Sequence, residues 1–259
     1  MKVRVRFAKY GSIRYLGHLD MMRFFQKANR RAKLPIAYSE GFHPHQIMSF
    51  ASPLGVGITS DGEYMDLTLS AEMSCDEILE CLQEQMTEEV KIVSVQRLQE
   101  DCHKAMAILE AASYIVFFKD YTGSVPLSAE ALEEEVQKHI LDAKQVLVEK
   151  ETKKSTREVD LKPLIYDMKL HGGFEEALAD KILPDWRENE FLLSTEDPYF
   201  TMTLCARSSD NVKPQLLMNY LMQQVGVKEE EFAIGIHRLD MLAAQDDKLV
   251  SLEEFETVS

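Results

Sequence analysis

The chain has 259 residues, 45% hydrophobic and 28% charged, with few Gly or Pro, which excludes a disordered or fibrous protein and allows one large or two ordinary globular domains. No apolar run approaches the roughly 20 residues needed to span a bilayer, and the start Met1 to Lys9 alternates charge with apolar residues and lacks a signal-peptide core, so the expectation is a cytoplasmic protein with no membrane partner. The net charge is −15, yet residues 1–60 hold ten Lys or Arg against two acids (Asp20 and Glu40), so this stretch is +8 and the remainder −23.

Val3, Val5 and Phe7 alternate with Arg4, Arg6 and Ala8, which predicts a half-buried strand with two arginines on its other face. After a turn at Gly11, residues 18–33 read as a helix ended by Pro35, with an apolar stripe of Met21, Phe24, Phe25, Ala28 and Ala32. Arg23, Lys27 and Arg30 recur at i, i+4 and i+7 on another face of that helix. A loop containing Gly41-Phe42-His43-Pro44-His45 leads to an extended segment at 47–53, and a strand is expected at 63–69. Ser74 is placed to cap a helix over 75–86, and 90–98 alternates as a closing strand. The order β-α-β-β-α-β is the ferredoxin-like one.

Residues 99–113 read as a helical connector, and the second half repeats the scheme. Strands are expected at 114–118, 145–150, 157–161, 199–207 and 232–242, and helices at 128–141 and 213–225. The stretch 164–196 reads as irregular and longer than a compact domain needs. Val95-Gln96-Arg97-Leu98 and Ile236-His237-Arg238-Leu239 put an arginine at the same point of each closing strand, a sign of duplication. The expected fold class is therefore α+β with two tandem ferredoxin-like halves: domains 1–98 and 114–242, and a frayed acidic tail at 243–259.

Cations gathered in one segment of an acidic chain reserve it for an anionic partner, because like charges repel unless a partner offsets them. The residues expected to contact nucleic acid are Arg4, Arg6, Arg14, Arg23, Lys27, Arg30 and Arg31, with Lys153, Lys154 and Arg157 at a hairpin tip extending the surface. Arg and Lys serve carboxylate and phosphate alike, so an acidic protein partner stays open beside RNA. His18, His43 and His45 are the candidates for acid-base work on RNA, since histidine titrates nearest neutral pH. Neither a third ligand for a metal nor a nucleotide-cradling glycine loop accompanies them, and no cofactor is expected. The four cysteines form no CxxC pair and lack the CxxxCxxC spacing of a radical enzyme's iron-sulfur loop.

The run Val3-Arg4-Val5-Arg6-Phe7 to Leu16-Gly17-His18-Leu19-Asp20, then Arg23, Pro35, Tyr38-Ser39-Glu40-Gly41-Phe42-His43-Pro44-His45 and Ser49-Phe50-Ala51, resembles the start of the radical-SAM-linked family of bacterial domains of unknown function. Val159-Asp160-Leu161-Lys162-Pro163 and His237-Arg238 add to the likeness. The resemblance implies an accessory of a radical S-adenosylmethionine protein, acting with it on RNA, and assigns no activity of its own. Paired halves with a basic face are also similar in outline to the tandem ferredoxin-like nucleases that process CRISPR RNA, a likeness of fold alone. The leading expectation is a non-catalytic RNA-binding accessory protein; the alternatives are a metal-independent RNA endonuclease or modifying enzyme, and a module that binds only protein.

Overall fold

A computed structural model describes residues 1–119, 127–151, 156–172 and 198–258. It is a mixed α+β fold in which the strand pairs are antiparallel and helices are few. The chain forms two compact units: residues 1–110 with 238–259, and residues 111–237. Among the described residues no helix is long and apolar enough to cross a membrane.

In the first unit the elements run β1 (Lys2–Lys9), α1 (His18–Arg31), β2 (Met48–Phe50), β3 (Thr59–Thr68), α2 (Cys75–Gln83), β4 (Val90–Arg97) and a short α3 (Ala105–Ile108). The strand order is β4-β1-β3, with β2 also paired to β3. Register sets Val5 opposite Met65 and Val95, and the same pleat face carries Val3, Phe7 and Leu67. That face packs on α1 and α2 through Met21, Phe25, Ile78 and Leu82, each a buried apolar side chain contributing about 1.5–3 kcal/mol. Ser74 caps α2 in a reciprocal box with Glu77, as its sequence anticipates.

The other face of β1 and β3 is not open to water. Residues 243–259, expected as a frayed tail, instead return to this unit: β11 (Lys248–Ser251) pairs with the end of β10 (Ile234–Gln245), and Leu252 is fully buried. The tail folds because it brings an apolar anchor and acids to a face that displays arginines. Close approach at this face requires Gly62, where a Cβ would sit 2.6 Å from the Asp240 backbone.

The second unit contains β5 (Leu109–Phe118, from Ala111), α4 (Ala129–Val136), β6 (Leu147–Glu151), β7 (Thr156–Asp160), β8 (Ile165–His171), β9 (Tyr199–Cys205) and α5 (Pro214–Gln224). Its strand order is β5-β9-β8. Part of the stretch read as irregular is thus a strand, β8, paired with β9; residues 173–197 lie outside the described residues. Among the described residues the hairpin β6-β7 pairs only with itself, which departs from the expected repeat. Glu149, Arg157 and Glu158 line it with charge.

Candidate nucleic-acid interface

Two expected contact residues are interior. Arg4 is 1% exposed; its Nε donates to Asp66 at 2.8 Å, and Nη1 donates to the carbonyls of Leu252 and Phe255 at 3.0 and 3.2 Å. Arg6 pairs with Glu253 and donates through Nε to the Asp61 carbonyl at 3.2 Å. Both guanidinium groups serve the fold by holding the C-terminal segment on β1; Arg4 is closed to RNA, and Arg6, 21% exposed, is engaged by Glu253. The strand pattern placed them correctly on the second face and missed what covers it.

The α1 cations behave otherwise. Arg23, Lys27 and Arg30 are exposed on the helix, opposite buried Met21, Phe25 and Ala28. Arg23 reaches Asp20 at 3.5 Å, an exposed pair of little net strength. Lys27 and Arg30 have no ion pair among the described residues. Arg31 is drawn to Gln85, whose carbonyl it meets at 3.0 Å, and the Arg14 guanidinium lies 5.4 Å over the Tyr15 ring. Arg157 is exposed on β7 of the second unit, whereas Lys153 and Lys154 lie outside the described residues.

The loop 39–45 is tied to the same helix, α1. Ser39 N–H donates to the His45 carbonyl at 2.9 Å, His45 N–H donates to Ser39 Oγ at 3.1 Å, and Ser39 Oγ meets His45 Nδ1 at 2.8 Å, so the loop is closed at its base. Gly41 at φ 109° makes the turn, a conformation few other residues adopt. Gln46 ties the loop to α1: its Oε1 accepts from Asn29 at 3.0 Å and its Nε2 donates to the Gln26 carbonyl at 3.1 Å. The Phe42 ring is left wholly in solvent, and Tyr38 is about half exposed. His43 and His45 are exposed as well, and His18 sits apart from them, edge-on to Phe50 at 5.4 Å between ring centroids. Among the described residues no hydrogen bond links the three rings to one another.

Behind the loop is a pocket of about 410 Å³, its lining mostly apolar and including Ile47, Met48 and Leu67, with Lys2, His45 and Lys104 among its polar residues. This volume falls within the usual range for a small-molecule site.

A separate group of ionisable residues went unread in the sequence. Lys9 and Glu63 are 2% and 3% exposed, and Arg238 Nη1 bonds Glu63 at 3.0 and 3.3 Å. Burial pushes the Glu63 carboxyl above its ordinary value against the pull of Arg238 and Lys9, and burial lowers the Lys9 ammonium. The signal was partly present: Lys9 keeps the alternate spacing of Val3, Val5 and Phe7 in the sequence, although the ladder shifts register between Phe7 and Lys9.

A family model described as an uncharacterized protein conserved in bacteria (DUF2344) matches residues 2–214. The chain belongs to this family. The matched span contains β1, α1, the loop 39–45 and Glu63, and stops short of Arg238 and the C-terminal segment that covers Arg4. No curated protein matches the chain.

Proposed function

We propose that this protein is a non-catalytic RNA-binding accessory whose first unit grips a single-stranded segment. One observation carries the reading: Phe42 is held fully exposed on a closed loop that is bonded to the same helix whose other face presents Arg23, Lys27 and Arg30. An exposed ring of this kind has no packing role, and base stacking on an aromatic contributes about 1–3 kcal/mol per base. Cations a helical turn apart suit successive backbone phosphates. The apolar pocket behind the loop gives a second base somewhere to go. An acidic protein partner would also use the cations and could bury the ring, so the nature of the partner is what the experiment below decides.

Unit 1 is read as a ferredoxin-like domain, supported by its β-α-β-β-α-β order and the arrangement β4-β1-β3-β2; the second unit is read as a modified copy. The partnership with a radical S-adenosylmethionine protein rests on the motif likeness in residues 3–51, and the acid-base alternative rests on the exposed His43 and His45 of one loop and the half-buried His18.

Ultraviolet crosslinking of RNA that copurifies with the native protein, followed by peptide mapping, tests the reading. Crosslinks are expected in the peptides that carry Phe42 and the α1 cations. Recovery of protein partners without RNA, released by moderate salt, would replace this reading with the protein-binding one.

A further inference from the structure

The amino end of α1 overlies a narrow cleft lined by Phe7, Lys9, His18, Phe50, Ser52 and Glu63. Its free space is about 20 Å³, room for one oxygen-sized atom. The charges around it do not balance. Glu63 is bonded by Arg238, a pair 4% and 6% exposed, and the same carboxylate also attracts the Lys9 ammonium, so one carboxylate faces two buried cations. Lys9 makes one hydrogen bond among the described residues, from Nζ to the Leu16 carbonyl at 2.8 Å, although an ammonium offers three N–H donors. A buried ammonium with N–H donors left over can be met by a further acceptor. The cleft also sits where α1 begins. Gly17 caps that 14-residue helix without a side-chain acceptor, so the helix dipole presents its positive end next to His18. Phe7 and Phe50 line the cleft with apolar rings, which strengthens any charge interaction inside it.

We propose that this cleft receives one oxygen of a phosphate group, with the Lys9 ammonium and the His18 imidazole as donors and the start of α1 supplying a favourable field. The phosphate has two candidate sources: the backbone of the RNA inferred above, or a free phosphate or nucleotide. The residues involved differ from the exposed α1 cations and Phe42, so the two readings fail separately.

Inorganic phosphate titrated into the full-length protein, with the His18 ring and the Gly17 to Leu19 amides followed by NMR, tests the site. Wild type is expected to show a saturable shift that chloride at equal ionic strength does not produce. Lys9→Met and His18→Gln are each expected to weaken it roughly tenfold or more, the loss of a charge-assisted hydrogen bond. His18→Gln changes a partly exposed side chain and decides the matter alone if Lys9→Met does not fold. The triple variant Arg23→Glu, Lys27→Glu, Arg30→Glu is expected to bind phosphate as wild type does, even if it no longer binds RNA. Displacement of phosphate by a short single-stranded RNA assigns the site to an RNA phosphate; RNA that binds while phosphate stays assigns it to the free ion. An unsaturable shift, an equal response to chloride, or undiminished binding by either single variant that folds would overturn the proposal.

Discussion

Replacing Arg4 with Met separates an arginine that builds the fold from one that meets a ligand. Methionine keeps the aliphatic length and removes the guanidinium, leaving the Asp66 carboxylate with the Ala105 amide at 2.7 Å and the Leu252 and Phe255 carbonyls without their charged donor. Removing one partner from a buried ion pair costs about 3–5 kcal/mol. For a domain of this size each kcal/mol moves the thermal midpoint by about 4 °C, so a fall of roughly 12–20 °C is expected by calorimetry or circular dichroism. RNA affinity, measured well below that midpoint, should stay at the wild-type level. A variant with an unchanged midpoint and weakened RNA binding would show that Arg4 is a contact residue and that its internal bonds are incidental.

Phe42→Ala should lower affinity for single-stranded RNA by about 1–3 kcal/mol, roughly 5- to 160-fold, while the midpoint holds because the ring is wholly exposed; fluorescence anisotropy and a melt on the same sample check both. Deleting residues 246–259 removes β11, Leu252 and the partners of Arg4 and Arg6, so the midpoint should fall by at least as much as for Arg4→Met, and a shift below about 2 °C would contradict the fold assigned to this segment. Glu63→Gln probes the buried cluster through pH. Burial raises the folded-state value of Glu63, so its favourable contribution is complete below the unfolded value of about 4.3 and is lost as pH rises through the folded one. The wild-type midpoint should accordingly decline relative to that of Glu63→Gln between acid and neutral pH, and parallel curves would show that Glu63 is not shifted.

Much of the first unit was legible from residue order. The period-two pattern of β1, the apolar stripe of α1 and the Ser74 cap are local signals, and each element lies within a few residues of its expected place. The fate of Arg4 and Arg6 was not legible, because their partners Asp66, Leu252 and Glu253 lie between 62 and 248 positions away, and no local rule brings an acidic tail back to the first strand. Charge counting placed the cations in the right segment but weighed a buried Arg4 the same as an exposed Lys27. Lys9 and Phe42 were the opposite kind of miss. Each breaks a local rule, a charge on a core face and a ring on a Gly-Pro loop, and such breaks are where function tends to sit. The strand β8 escaped notice because Tyr166, Asp167 and Lys169 give it a polar, half-exposed pattern that resembles loop composition.

The salt dependence of RNA binding tests the central claim most directly. With a labelled single-stranded RNA, the logarithm of the association constant should fall linearly with that of salt, and reversing Arg23, Lys27 and Arg30 to Glu should reduce the slope by about 2, since each phosphate contact on a single strand contributes about 0.7. Equal slopes and affinities for the wild type and the reversed variant would contradict it.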